Sequence, residues 1–372
     1  MTKTPFFDAS LFSKDNVNTS RQLEVDLVKV LAILTMVLVH VFEFSFTIDD
    51  VGKTVPMWLT LIIEFCGGPL SAPLFMTAMG VGMAYARKQD ALTYASRGKI
   101  LIRQGYDLNF WRGGLLYLVI YTITKSDSSL FYVVQGMLVL DILHFAGMTF
   151  LFLALLKLLK MKPGQILLVG IVMEVIATLM PPVAADSVLG AGVLGLLFFQ
   201  NQYTTFPLFS WFIYPAIGYF FGHMLLRVTD KKRFYQRILI AATGVFIAYT
   251  GVLIALRYDL TEIFLGHGYY AQGVLRATWI LPICALVYSL FYFVSPVVKG
   301  KGKRLAEFIS SKVNDIYIAQ WILITWTCTI LAEYTAPTVG SMIALVCIIT
   351  VLSVALAYGR SRRDGRFFKY KK

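Results

Sequence analysis

Long apolar stretches separated by short charged clusters run along almost the whole chain. A helix needs about 20 apolar residues to cross the hydrocarbon of a bilayer. Stretches that suit such helices lie near 25–46, 57–86, 110–124, 139–159, 164–183, 206–226, 237–257, 273–295, 313–332 and 338–358. The pattern predicts an all-α polytopic membrane protein, a bundle of about ten transmembrane helices. Division is least sharp over 110–145, where a short apolar run, a polar loop (Lys125 to Ser129) and a longer apolar run follow one another.

The charged clusters alternate in sign along the chain. Arg87, Lys88, Arg97, Lys99 and Arg103 fall on one side, with Lys157, Lys160 and Lys162, then Lys231, Lys232, Arg233 and Arg237, then Lys299, Lys301, Lys303 and Arg304. Asp49, Asp50, Asp127, Asp186, Asp259, Glu262 and Glu333 fall on the other, with few bases. Lys and Arg in short loops mark the cytoplasmic face. The expected layout is therefore N-in and C-in, with a cytoplasmic arm over 1–22, a membrane domain over 23–359 and a basic cytoplasmic tail over 360–372. Composition agrees: 58% hydrophobic residues, 15% charged residues and a mean hydropathy of +0.69 exclude a soluble domain of this length.

The net charge of +13 reports that topology and contact with anionic lipid. No motif points to nucleic acid. Cys66, Cys284, Cys328 and Cys347 all lie in apolar runs without paired spacing and read as small hydrophobes. The first twenty residues are polar, so no cleaved signal peptide is expected. Neither a phosphate-binding Gly-rich loop nor a GxGxxG run following a strand is present, which argues against nucleotide hydrolysis and dinucleotide binding.

Ionisable residues within apolar spans are costly and mark functional sites by default. The first span carries Asp26, Lys29, His40 and Glu43 on one stripe. Lys29 and His40, eleven residues apart, share a face about 16 Å apart along the axis. Lys29 alone would read as a snorkelling anchor at a helix end. His40, in the outer half of the span, calls for chemistry. The fourth span brings Asp141 and His144 onto one face at a similar depth. An imidazole whose second nitrogen bonds a carboxylate is oriented as a general base. The same residue types also build proton relays, so a proton-coupled transporter or flippase is the alternative. That alternative predicts inverted repeats with matching broken helices, and none is visible.

Glu64 precedes a second-span stretch, FCGGPLSAPLFMTAMGVG, whose Gly and Pro residues break regular helix bonding. Such breaks are tolerated where protein or a cavity satisfies the backbone. Arg97, Lys99, Arg103 and Arg112 border the short third span on the inner side and suit a phosphorylated cytoplasmic ligand. Arg276 and Trp279 open the eighth span after an aromatic outer loop that includes His267. They are candidates for contact with an outer substrate, although aromatic residues are common at membrane interfaces in any case.

The opening run from Arg21 to His40 resembles membrane-bound acyltransferases, with the basic-x10-His spacing of acyltransferase family 3 at Lys29 and His40. DILHFAG (Asp141 to Gly147) and FPLFSW (Phe206 to Trp211) are similar to runs of the heparan-α-glucosaminide N-acetyltransferase catalytic-domain group, and APLFMTAMGVGMAY (Ala72 to Tyr85) fits either branch. The chain departs from both at Lys29-Val30, where Arg-Gly is usual, so a point charge replaces a planar clamp.

The resemblance implies transfer of an acyl group, most directly acetyl, from cytoplasmic acetyl-CoA as co-substrate to a hydroxyl or amine of an extracytoplasmic saccharide. It implies no metal. His40 would serve as general base or acyl carrier, oriented by Glu43 or Asp141, with His144 second in line. Amides at Gly67–Gly68 would stabilise the oxyanion. Lys29, Arg97, Lys99, Arg103 and Arg112 would hold the CoA phosphates, and Glu64, Arg276 and Trp279 would face the acceptor. The partners expected are the lipid bilayer and the saccharide. A homodimer is compatible with the sequence, and a multi-pass bacterial cytoplasmic membrane protein is the expected setting.

Overall fold

A computed structural model describes residues 9–47, 50–180, 187–265, 267–332 and 334–363. Asp49, Asp186, Glu333 and the side chain of His267 lie outside the described residues. The first half contains α1 (Leu23–Ser45), α2 (Met57–Gly67), α3 (Ala72–Ala84), α4 (Ala91–Asn109), α5 (Leu115–Thr124), α6 (Asp127–Leu138), α7 (Ile142–Leu158) and α8 (Pro163–Leu179). The second contains α9 (Val188–Leu197), α10 (Leu208–Trp211), α11 (Ile213–Arg227), α12 (Lys231–Ala255), α13 (Val274–Val294), α14 (Gly300–Ser311), α15 (Val313–Ala332) and α16 (Val339–Arg363). Outside the helices, β-type pairing is confined to isolated bridges such as Leu140 with Thr204.

Among the described residues, seven segments are long and apolar enough to cross a membrane: α1, the α2–α3 pair, the α10–α11 pair, α12, α13, α15 and α16. Two further apolar helices, α7 and α8, are shorter. The expected span over 110–124 is not a separate helix. Its polar predecessor α4 continues through a five-residue π turn (Phe110–Gly114) into α5. One helical rod thus runs from 91 to 124, polar in its first half and apolar in its second. Lys125, in the left-handed region at φ 55°, ends it and reverses the chain into α6.

The central helix is α1, which packs against α2, α3, α13, α14, α15 and α16. A helix that is apolar around most of its circumference belongs in the middle of a bundle. Its polar N-terminal end is paired: the Arg21 guanidinium grips Asp26 at 2.6 and 2.9 Å, and Lys231 reaches Glu24 at 2.6 Å. Asp26 is therefore engaged by Arg21 rather than by Lys29, the partner that spacing suggests. The basic segment 299–304, expected as a loop, is largely the start of α14, which lies against α1.

Two helix pairs approach closely because glycines face each other, as small residues allow in membrane bundles. A Cβ on Gly80 of α3 would lie 2.2 Å from the Pro215 carbonyl oxygen of α11, and one on Gly218 of α11 would lie 2.1 Å from the Thr77 carbonyl oxygen. Gly98 and Gly147 play the same part between α4 and α7. The break between α2 and α3 is closed by side chains. The Thr35 hydroxyl reaches the Leu70 carbonyl at 2.9 Å, and the Ser71 hydroxyl lies 2.7 Å from Thr35 Oγ1 and 3.0 Å from the Cys66 carbonyl.

Overpacking of this kind costs about 1–3 kcal/mol. Gly80→Ala and Gly218→Ala should each lower the thermal midpoint of the detergent-purified protein by several degrees. Gly244→Ala on α12, where a Cβ meets only open space, should not. Equal midpoints for all three would contradict this packing.

Candidate active site

Below the α2–α3 break lies a cavity of about 270 Å³. Five parts of the chain converge on it: α1 with His40 and Glu43, α2 with Glu64, the π turn with Arg112, the residues opening α7 with Asp141, and α15 with Tyr317 and Trp321. Four sequence candidates from separate spans (His40, Glu64, Arg112 and Asp141) thus meet in one space. Gly67 lets α2 approach α1, since a Cβ there would lie 2.3 Å from Val39 Cγ2.

His40 makes no hydrogen bond to a described residue. Its Nδ1 is enclosed without a partner, and the residue lines the cavity. The imidazole instead packs on the Trp321 indole, ring centroids 4.1 Å apart and planes inclined by 34°. The expected orientation of His40 by Glu43 or Asp141 is corrected on this point. Asp141 is committed elsewhere: it accepts from Arg112 at 2.7 Å and from the Tyr317 hydroxyl at 2.9 Å. The Arg112 guanidinium also donates to Asn109 at 3.1 Å and lies 4.6 Å from the centroid of the Trp321 ring. Arg112 therefore sits in the cavity with His40, not with the inner basic residues. The π turn makes this placement, because the extra residue it accommodates changes the angular position of everything after it.

His144 has a structural engagement. Asp141 caps α7 with its side chain on the Ile142 amide, and His144 Nδ1 accepts from the Asp141 amide at 3.2 Å, closing a capping box. The ring is packed onto Gly105, where a Cβ would lie 2.5 Å from its Cε1, and against Tyr106. His144 does not line the His40 cavity. The expected oxyanion donors are corrected as well, since the Gly68 amide is already bonded to the Glu64 carbonyl at 2.7 Å.

Arg276 and Trp279 do not line this cavity. Arg276 donates to the carbonyls of Ala271 and Glu262, and the Trp279 indole N–H donates to Thr250. Arg276 thus holds the loop that precedes α13, and Trp279 ties α13 to α12. Tyr269 and Tyr270 from that loop do line the cavity, and the Tyr269 hydroxyl donates to the Gly68 carbonyl at 3.0 Å.

Residues 21–251 match a family described as heparan-alpha-glucosaminide N-acetyltransferase, catalytic. The chain belongs to that family. No curated protein and no solved structure matches the chain. Membership makes this an acetyltransferase of multi-pass membrane type, and the match takes in His40, Glu64, Arg112 and Asp141. Tyr317 and Trp321 lie beyond it.

In this acetyltransferase a second set of spaces lies toward the other end of α1. One, of about 480 Å³, is lined by Lys29, Lys88, Arg97, Asn314 and residues of α3 and α7. A neighbour of about 250 Å³ shares Lys29 and includes Arg21 and Ser310. A third, of about 430 Å³, gathers Arg97, Arg103, Lys312 and Arg360 around Asp315. Lys99 is exposed and lines none of the three. The His40 cavity and the Lys29 space share no residue, yet the same four helices line both. The paired positions are Met36 and Lys29 on α1, Ala72 and Phe75 on α3, Ile142 and Ala146 on α7, and Tyr317 and Asn314 on α15. On three of these helices the separation is about one turn.

Sequence reasoning missed Trp321 and Tyr317. An aromatic residue in an apolar span carries no signal of its own, and only a partner's position reveals one that stacks on a histidine. If His144 is a cap and His40 is not, His144→Leu should lower the thermal midpoint by several degrees, in line with about 0.5–2 kcal/mol for a lost cap. His40→Gln should leave the midpoint within about a degree. A larger loss for His40→Gln would reverse these roles.

Proposed function

We propose that this acetyltransferase takes acetyl from acetyl-CoA entering on the cytoplasmic side and passes it to a hydroxyl or amine of a saccharide on the opposite face. The layout is N-in and C-in with about ten crossings, in a bacterial cytoplasmic membrane. The observation that carries the reading is the stacking of two spaces on four shared helices. A basic space holds Lys29 and Arg97, and further along α1 lies a cavity lined by the His40 imidazole.

The basic residues suit the phosphates of CoA, with Lys29 at the inner end of the path. Arg97, Arg103, Lys312 and Arg360 provide cationic groups at its mouth. In the direct route the acceptor oxygen or nitrogen attacks the thioester carbonyl while His40 Nε2 takes its proton. The C–S bond breaks, and the CoA thiolate leaves and is protonated. In the carrier route Nε2 attacks first, releases the thiol, and yields the acetyl to the acceptor in a second step. Either route needs an imidazole with a free lone pair at Nε2. Glu43 and Glu64, in the same cavity, are the acceptor-side polar groups. The transporter alternative gains no support from the family.

Purified protein should release CoA thiol from acetyl-CoA in the presence of a suitable amino sugar. His40→Ala should reduce that release by about 100-fold or more. Acetyl-CoA alone should raise the thermal midpoint, because a ligand bound only by the folded state stabilises it. Lys29→Gln and Arg97→Gln should shrink that rise while leaving the midpoint of the free protein unchanged. Full turnover by His40→Ala would remove the histidine from the chemistry. An unchanged midpoint with saturating acetyl-CoA would remove the donor.

A further inference from the structure

We propose that Arg112 and Trp321 are positioning residues for His40, forming a stacked relay in which the Asp141 carboxylate fixes the guanidinium, the guanidinium fixes the indole, and the indole holds the imidazole. The inference rests on the reading of His40 as the reactive group.

A histidine that works as a base or nucleophile needs its ring held in one plane, commonly by a hydrogen bond from its other nitrogen. His40 lacks one, since Nδ1 is enclosed and unpartnered. The only described side chains in ring contact with it is Trp321, at 4.1 Å. The indole N–H is enclosed and makes no well-formed hydrogen bond, with Tyr317 on the same helix as its near neighbour. What fixes the indole is packing. Phe44 meets it edge-on at 5.8 Å, and the Arg112 guanidinium lies 4.6 Å from its centroid. A guanidinium over an indole is attracted by the ring quadrupole, and more strongly when both are out of water.

Arg112 is held at two points, Asp141 at 2.7 Å and Asn109 at 3.1 Å. Asp141 is held by the Tyr317 hydroxyl at 2.9 Å and by its place at the head of α7. Each link in the relay is fixed by the next, down to a helix terminus. A lysine at 112 could pair with Asp141 but offers no planar fork to lie on the indole while doing so.

The relay also sets the charge around the imidazole. Charged and titratable groups lining the same space are Glu43 from α1, Glu64 from α2, Arg112 from the π turn, Asp141 ahead of α7, Tyr117 from α5, Tyr269 and Tyr270 from the outer loop, and Tyr317 from α15. Arg112 and Asp141 neutralise each other, so the intact pair adds no net charge beside the imidazole. Removing one half exposes the other. Loss of the cation favours imidazolium and loss of the anion disfavours it. A purely structural ion pair far from His40 would not produce such opposite responses.

The test reads His40 directly. The chain has four histidines, so histidine ring labelling gives a tractable spectrum in nanodiscs, and His40→Gln assigns the His40 signal. Arg112→Gln should move the His40 titration midpoint up by about half a pH unit or more, and Asp141→Asn should move it down by a similar amount. Trp321→Leu should remove the ring-current displacement of the His40 signals, and Trp321→Phe should keep part of it. In turnover assays Arg112→Lys and Trp321→Leu should lower kcat by about 10-fold or more with KM little changed, as expected when only the reacting geometry is lost.

Breaking a buried pair leaves an uncompensated charge, so each single variant is destabilised. The double variant Arg112→Gln with Asp141→Asn, which leaves no lone charge, then stands in, and its midpoint should lie near that of the parent. Shifts in the same direction for the two single variants, a double variant displaced as far as either, or an unmoved ring-current displacement in Trp321→Leu would each overturn the relay. If the titration and ring-current results hold while the parent protein transfers no acetyl, the function fails and the relay stands. If acetyl transfer holds while His40 ignores these changes, the relay fails and the function stands.

Discussion

Asp141 satisfies three demands at once from a buried position. It caps α7, neutralises Arg112 and accepts the Tyr317 hydroxyl. A bare helix terminus, a lone guanidinium and a buried phenol would each be costly within a bilayer. One carboxylate answers all three and thereby ties together the α4–α5 rod, α7 and α15. The cavity walls stand where they do because these three elements meet at that point. Trp321, on the same helix as Tyr317, is carried into place beside His40.

The two spaces along α1 give this arrangement a direction. Cations gather around the one at Lys29, whereas the His40 cavity is lined by Glu43, Glu64 and the Arg112–Asp141 ion pair. The two are separated by about one helical turn on α3, α7 and α15 and by about two on α1. Glycine contacts back two of these helices closely, α3 against α11 and α7 against α4.

Much of the architecture was legible in the sequence. Apolar run lengths located α1, α7, α8, α12, α13, α15 and α16 closely, because a bilayer imposes both composition and length. The 110–124 run misled, since a polar helix and an apolar one share a continuous rod and hydropathy marks only the second. The candidate site was legible as a set of residues but not as a set of pairs. His40, Glu64 and Asp141 stand out because ionisable groups are rare in spans. Spacing along one helix suggested Asp26 with Lys29, yet Arg21 takes Asp26 from outside the helix. Arg112 looked like an inner-loop cation because the π turn that carries it into the cavity leaves no periodic signature. Trp321 is silent in the sequence for the same reason that any core aromatic is.

The central claim is that acetyl crosses from a donor on one face to an acceptor on the other by way of His40. Sealed proteoliposomes of known orientation test it, with radiolabelled acetyl-CoA confined to the cytoplasmic side and an impermeant amino sugar confined to the opposite side. Labelled acetyl should appear on the sugar with the parent protein, and the label should stay with CoA when His40→Ala replaces it. Transfer that requires donor and acceptor on the same side, or that persists without the imidazole, would contradict the account.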